Sequence, residues 1–468
     1  MSPFFLFTIG ILIILAFSFL GFLTLEALRL KLTRLEFFSV GFPLGAGIFT
    51  WALFVGSRFG ILINQFTLLI TYVAVAVIAI TLQRVLRRNP VLDRGLPSQD
   101  RPAIERSLEL VLWLLLGIVL LSGFFLAIGR SYVAHDAAAG WALKGYAIGY
   151  AGDVLAAGDK GMWGLAYPLN LPMQVTTFFL TTGEILPESK MLYPLYALAL
   201  ILNCILFWIR GGATRWTSIA GGLYILTIPV VYNHSTIGYV NLPFTCLLVT
   251  GTVTLLEGMW QSEVRMMWLG GLFFGIATWT RPEGMLYSVA VISTLCFVYW
   301  ISERKVPPLL PLVLPTLVIL SIWLPFSRAA ISEINVGTAF PAAVREMVNG
   351  NFKSNFLWLE ITKFFRRAID ISNWGLFLQV SAILLLIGIS TWRKLITRKK
   401  IALVTVTITI ALIPFFLIYI QSFLLSWDEF EALLLHSFDR AFLPGAAMIS
   451  LLLLYLIGDN DKVSDVPT

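Results

Sequence analysis

Apolar stretches of about 18 residues or more recur along the whole chain, and each is long enough to cross a ~30 Å hydrocarbon core as a helix. Lipid offers no partner to an open backbone amide, so spanning structures are helices or closed barrels. A barrel would show short segments of alternating polarity instead. Only 13% of the residues are charged, against the roughly one quarter of an ordinary soluble domain. The expected fold class is therefore all-α: a polytopic membrane protein with about thirteen transmembrane helices, plus juxtamembrane helices in its first long outer loop.

The spans are expected near 4–24, 37–57, 62–82, 108–129, 191–209, 217–233, 238–256, 266–279, 284–301, 308–326, 374–391, 401–422 and 441–458. The first, "MSPFFLFTIGILIILAFSFLGFL", lacks the basic leader of a cleaved signal peptide and reads as a span. Basic residues mark the cytoplasmic loops. Arg84, Arg87, Arg88, Arg94, Arg101 and Arg106 crowd 83–107, and "TWRKLITRKK" carries five more at 391–400. Both loops fall on one side if the apolar stretch 167–182 does not cross fully. It is read as a juxtamembrane or re-entrant helix, its start "YPLNLP" carrying two prolines. The N-terminus is then outside and the C-terminus cytoplasmic. The outer segments are 130–190, 234–237, 280–283, 327–373 and 423–440, and they hold His135, His234 and His436.

Several features point to nothing special. The net charge of +7 follows from the loops and does not imply nucleic acid. Cys204, Cys246 and Cys296 lie in apolar runs without CxxC spacing and read as small core residues. Asp153 and Asp159, in "YAGDVLAAGDKG", read as turn residues.

The outer segments concentrate the chemistry. Asp136, Gly140 and Lys144 recur every four residues, so on an α-helix they share one face, with Trp141, Gly145 and Ile148 on another. That pattern predicts an interfacial helix with its aromatic in the headgroup layer. "FLWLEITKFFRRAID" reads as an amphipathic helix, either solvated at the interface or serving as a lid or acceptor-docking loop. "TWTRPEG" puts Arg281 and Glu283 in a short turn, and "LHSFDRAFLP" puts His436, Asp439 and Arg440 just before the last span. Charges so close to spans are costly unless paired or functional.

These segments resemble, in order, the motifs of the GT-C membrane glycosyltransferases. That superfamily includes the dolichyl-phosphate-mannose protein mannosyltransferases and the aminoarabinose transferases of lipid A. "HDAAAGWALK" resembles the acidic first-loop motif, and "AYPLNLPMQVTTFFLTTG" the proline-led juxtamembrane helix. "IPVVYNHSTIGYVNLPFT", "GIATWTRPEGMLY" and "SFDRAFLP" resemble three later motifs. The resemblance divides the chain into a three-span extension with its cytoplasmic loop at 1–106, a catalytic core at 107–458 and a short cytoplasmic tail at 459–468. Asn241 stands where many relatives carry an acidic residue, so no metal or proton role is carried over to it.

The resemblance implies transfer of a sugar, hexosyl or pentosyl, from a polyprenyl-phosphate donor to a lipid, glycan or protein hydroxyl. The reaction takes place at the outer face of the cell's inner or plasma membrane. A hydroxyl is a poor nucleophile and gains from an aligned base; Asp136 is the catalytic candidate. A lipid-phosphate leaving group calls for cations: Arg440 first, because a guanidinium grips phosphate with two donors, then Lys144 and Arg281. His135, Glu283, Asn241 and Asp439 complete the expected substrate-binding set, Glu283 more as a partner for Arg281 than as a catalyst. Direct displacement inverts the anomeric centre. The histidines raise a divalent-metal alternative. They are far apart in sequence, however, and only His436 has a carboxylate, Asp439, one turn away, so no cofactor is expected.

Two rival readings stand beside this one. A transporter or flippase of lipid-linked saccharides would carry ionisable residues at mid-span, where this chain has almost none. A glycan ligase or polymerase of another membrane fold would share the long loops and basic residues.

Overall fold

A computed structural model describes residues 3–31, 33–86, 92–93, 102–132, 134, 136–160, 165, 167–184, 187–331, 345–349, 353–392, 397–423 and 425–457. Among them the chain is helical throughout, apart from a two-residue parallel pairing of Leu30–Lys31 with Leu92–Asp93. Among the described residues nine helices are long and apolar enough to cross a bilayer, which makes this a polytopic membrane protein. They are α1 (Pro3–Ala27), α2 (Arg34–Arg58), α3 (Gln65–Val85), α4 (Ala103–Ile128), α8 (Leu192–Arg210), α11 (Asn241–Trp260), α13 (Gly284–Glu303), α14 (Leu310–Ile331) and α18 (Arg398–Gln421). Between and after them run α5 (Leu143–Ala151), α6 (Ala156–Lys160), α7 (Asn170–Thr182), α9 (Arg215–Thr227), α10 (Pro229–Ile237), α12 (Val264–Thr280), α15 (Ser354–Ala368), α16 (Ile371–Trp374), α17 (Phe377–Trp392), α19 (Trp427–Ala441) and α20 (Leu443–Ile457).

Four of the thirteen expected spans take shorter forms. The run 217–233 is cut by Pro229, which opens α10 at its first turn while Ile228 stays extended. At 1.5 Å per residue the two pieces reach only about 20 and 14 Å. α12, α17 and α20 have 17, 16 and 15 residues. The stretch expected not to cross is α7, of 13 residues, or about 20 Å.

Burial separates the core from the lipid face. The apolar window of α11 is wholly buried and that of α8 is 89% buried, against 11% for α3 and 17% for α4. In lipid, apolar side chains gain little by meeting each other, so close backbone packing and hydrogen bonds hold the centre. Asn203 on α8 donates to Thr250 Oγ1 on α11 (2.7 Å) and to the Ser39 carbonyl on α2 (3.1 Å). α1 crosses α2 where Gly21 meets Gly41 and Gly45, and a Cβ at Gly21 or Gly45 would collide with the facing backbone. Thr33 and Glu36 form a reciprocal cap at the start of α2, and the same buried Glu36 pairs with Arg210 at the end of α8.

The first loop departs from the expected helix. Asp136–Ala142 forms a π-helical turn, followed directly by α5. Its wider i→i+5 pattern breaks the four-residue register of Asp136, Gly140 and Lys144. Trp141, expected in the headgroup layer, is 3% exposed, packed edge-on against Tyr167. Lys144 is fully buried.

Candidate functional site

The charged ends of α12, α13 and α19 gather around one cavity of about 270 Å³. Its polar lining includes Tyr167, Asn241, Arg281, Glu283, Ser437 and Arg440. The apolar lining includes Pro414, Leu417 and Ile418 along α18, which also contributes Gln421. The chamber therefore offers both charged and apolar side chains to a ligand.

Each polar residue is placed by its element. A capping box at Ser426 and Glu429 starts α19, and Arg440 sits in its last turn. There a cation is favoured by the helix dipole. The Arg440 guanidinium makes an ion pair with Asp136 at the start of the π-helical turn and donates to Ser437 Oγ at 3.1 Å. Asn241, the first residue of α11, donates to the Arg440 backbone carbonyl at 3.0 Å. A carboxylate there would have no proton to give, which supplies a use for the amide.

Arg281 and Glu283 flank Pro282 between α12 and α13 and form a two-point pair, with Nε to Oε2 at 3.0 Å and Nη2 to Oε1 at 2.7 Å. Burial opposes ionisation of Glu283, but the guanidinium outweighs it and holds the carboxyl below its usual range. The expectation that Glu283 partners Arg281 matches this geometry.

Lys144 lies behind Tyr167, its Nζ 5.9 Å from that ring and 5.8 Å from the Trp141 ring. Among the described residues its ammonium has no hydrogen-bond partner, and burial lowers its pKa to about 8. Burial pushes the Tyr167 phenol up to about 12, so it stays a neutral donor. Arg281, Glu283 and Arg440 line the cavity and Asp136 pairs with Arg440 beside it, two cations with two carboxylates, while Lys144 is outside the cavity lining, next to Tyr167.

Other expected residues fall elsewhere. Asp439 turns away from the cavity, accepting from Trp374 Nε1 at 2.8 Å and pairing with Arg367 at 3.4 Å. It links α19 to α15 and α16 rather than facing a ligand. His135 lies outside the described residues. His234 is buried; its Nδ1 meets the Val230 carbonyl at 2.8 Å, and burial lowers its pKa to about 4. Among the described residues, no group of three His, Cys, Asp or Glu gathers to hold an ion.

Sequence reasoning missed the neutral members of the wall. Tyr167 and Ser437 line the cavity, and Tyr239 lies under the Arg440 guanidinium at 5.9 Å. All three stand inside the motifs already singled out, where the residue pattern marks only the charged positions, His135 and Asn241 as binding or catalytic. Comparison with family models, with curated proteins and with solved structures finds no match to this chain.

Proposed function

We propose that this protein is a membrane glycosyltransferase of the GT-C type. It moves a hexosyl or pentosyl group from a polyprenyl-phosphate donor to an acceptor hydroxyl on the extracytoplasmic side of the cell's inner or plasma membrane. The reading includes about thirteen crossings, with the shorter apolar helices counted among them, the N-terminus outside and the C-terminus cytoplasmic. The observation that carries it is the contact between Asp136 and Arg440 beside a cavity whose lining mixes charged and polar residues with apolar ones from α18. That combination fits an amphiphile with an anionic head.

In this mechanism the donor phosphate and the Asp136 carboxylate compete for one guanidinium. Arrival of the phosphate draws Arg440 to itself and frees the carboxylate. The acceptor hydroxyl then gives its proton to Asp136 as its oxygen attacks the anomeric carbon. The bond from that carbon to the phosphate oxygen breaks on the opposite face, through an oxocarbenium-like state, and polyprenyl phosphate leaves. The product has inverted configuration. Arg440, Arg281 and Lys144 stabilise the charge growing on the leaving phosphate, an effect of several kcal/mol in such sites.

Turnover of the purified protein with synthetic polyprenyl-phosphate sugars, comparing wild type with Asp136→Asn, tests the reading. Transfer by wild type and its loss in the variant are expected. Full activity in Asp136→Asn removes the catalytic assignment.

A further inference from the structure

Asn170, the first residue of α7, is fully buried, and its carboxamide joins three helices. Its Oδ1 accepts from Thr50 on α2 at 2.7 Å and from Gln174 at 3.0 Å. Its Nδ2 donates to Thr280 Oγ1 at the end of α12, at 2.8 Å. The chain of bonds continues in both directions. Trp279 Nε1 donates to Thr50 Oγ1 at 3.2 Å, and Gln174 Nε2 donates to Tyr196 on α8 at 3.0 Å.

Both neighbours of this junction reach the cavity. Thr280 immediately precedes Arg281, and Tyr167 stands three residues before Asn170. α7 also fixes the first loop: Thr176 donates to the Gly145 carbonyl at 2.8 Å, and a Cβ at Gly145 would strike α7. Lys144 is the adjoining residue. A satisfied buried network of this kind permits one arrangement of its helices, because losing any partner strands the rest.

We infer that Asn170 is a positioning residue: through Thr50 and Thr280 it uses α2 as the fixed support that sets Arg281 and Tyr167 against the bound anion. The helices before the first loop are then part of the site's frame. The role in binding rests on the function proposed above; the clamp itself does not.

Hydrogen–deuterium exchange of the purified protein reads the clamp without a ligand. In Asn170→Leu, and in the milder Thr50→Val, exchange across 167–174 and 277–285 rises while the rest of the core keeps its wild-type rate. Unchanged exchange in both variants overturns the inference. Binding of farnesyl phosphate reads the positioning. Thr50→Val weakens it about tenfold, the scale of one lost hydrogen bond. In an Arg281→Ala background the same change weakens binding clearly less than in wild type, because part of the effect passes through Arg281. Additive losses mean that Thr50 and Asn170 stabilise the fold without setting Arg281. Faster local exchange with no farnesyl phosphate binding, even by wild type, leaves the clamp standing and removes the proposed function instead.

Discussion

Asp136 and Arg440 stand 304 positions apart in the sequence and form an ion pair beside the cavity. One comes from a π-helical turn in the first loop, the other from the last turn of α19. A guanidinium already divided between a carboxylate and the Ser437 hydroxyl can exchange one partner for a phosphate. In the proposed mechanism the carboxylate it releases accepts the proton of the acceptor hydroxyl.

Asn241→Asp keeps the size of the side chain and removes its donor. The new carboxylate meets the Arg440 carbonyl and shares the cavity lining with Glu283, so the end of α19 loses its tie to α11. A buried group left unsatisfied in this way costs about 1–3 kcal/mol. The expected result is a lower melting temperature and a raised KM for donor; unchanged values for both mean that the bond at 3.0 Å does not hold α19.

On the proposed function, Lys144 predicts a pH dependence of anion binding. Its pKa is lowered to about 8, so the ammonium is present below that value and lost above it. Binding of an anionic head is therefore expected to weaken as pH rises through about 8. Lys144→Met binds more weakly at pH 7 and loses this inflection. Titrating farnesyl phosphate binding from pH 6 to 9 makes the comparison, and an inflection that persists in Lys144→Met assigns it to another group.

Glu360 on α15 predicts the opposite kind of experiment, on stability. It is fully buried, and burial raises its pKa to about 8. The folded state thus holds a proton that the unfolded state releases near the ordinary carboxylate range. Between that range and about pH 8 the unfolded state binds fewer protons, so stability falls as pH rises. The apparent melting temperature should drop from pH 5 to 8 in wild type and stay nearly level in Glu360→Gln. Parallel curves for the two proteins would place the drop elsewhere.

The helical class was legible because long apolar runs have few other solutions. Among the described residues nine of the expected spans are present at spanning length, and α7, read as not crossing because the two basic loops should share a side, has 13 residues. Pro229 was equally visible, but its effect depended on Ile228 staying extended, which local pattern does not dictate. The four-residue spacing of Asp136 and Lys144 misled because it assumed an α-helix where the backbone takes a π turn. Asp439 and Ser437 illustrate a different limit. Both lie in one motif, but helix geometry turns the acid toward Trp374 and leaves the hydroxyl at the cavity. The Asn170 network was illegible for a simpler reason: its partners on α2 and α12 are 120 and 110 positions away.

Binding of farnesyl phosphate measured alongside sugar transfer, in wild type, Asp136→Asn and Arg440→Ala, tests the shared guanidinium most directly. Removing the competing carboxylate should leave binding as tight as in wild type or tighter, while transfer falls by about 10²- to 10⁴-fold, the scale of a general base. Arg440→Ala should lose both. Undiminished transfer by Asp136→Asn, or wild-type binding by Arg440→Ala, contradicts the account.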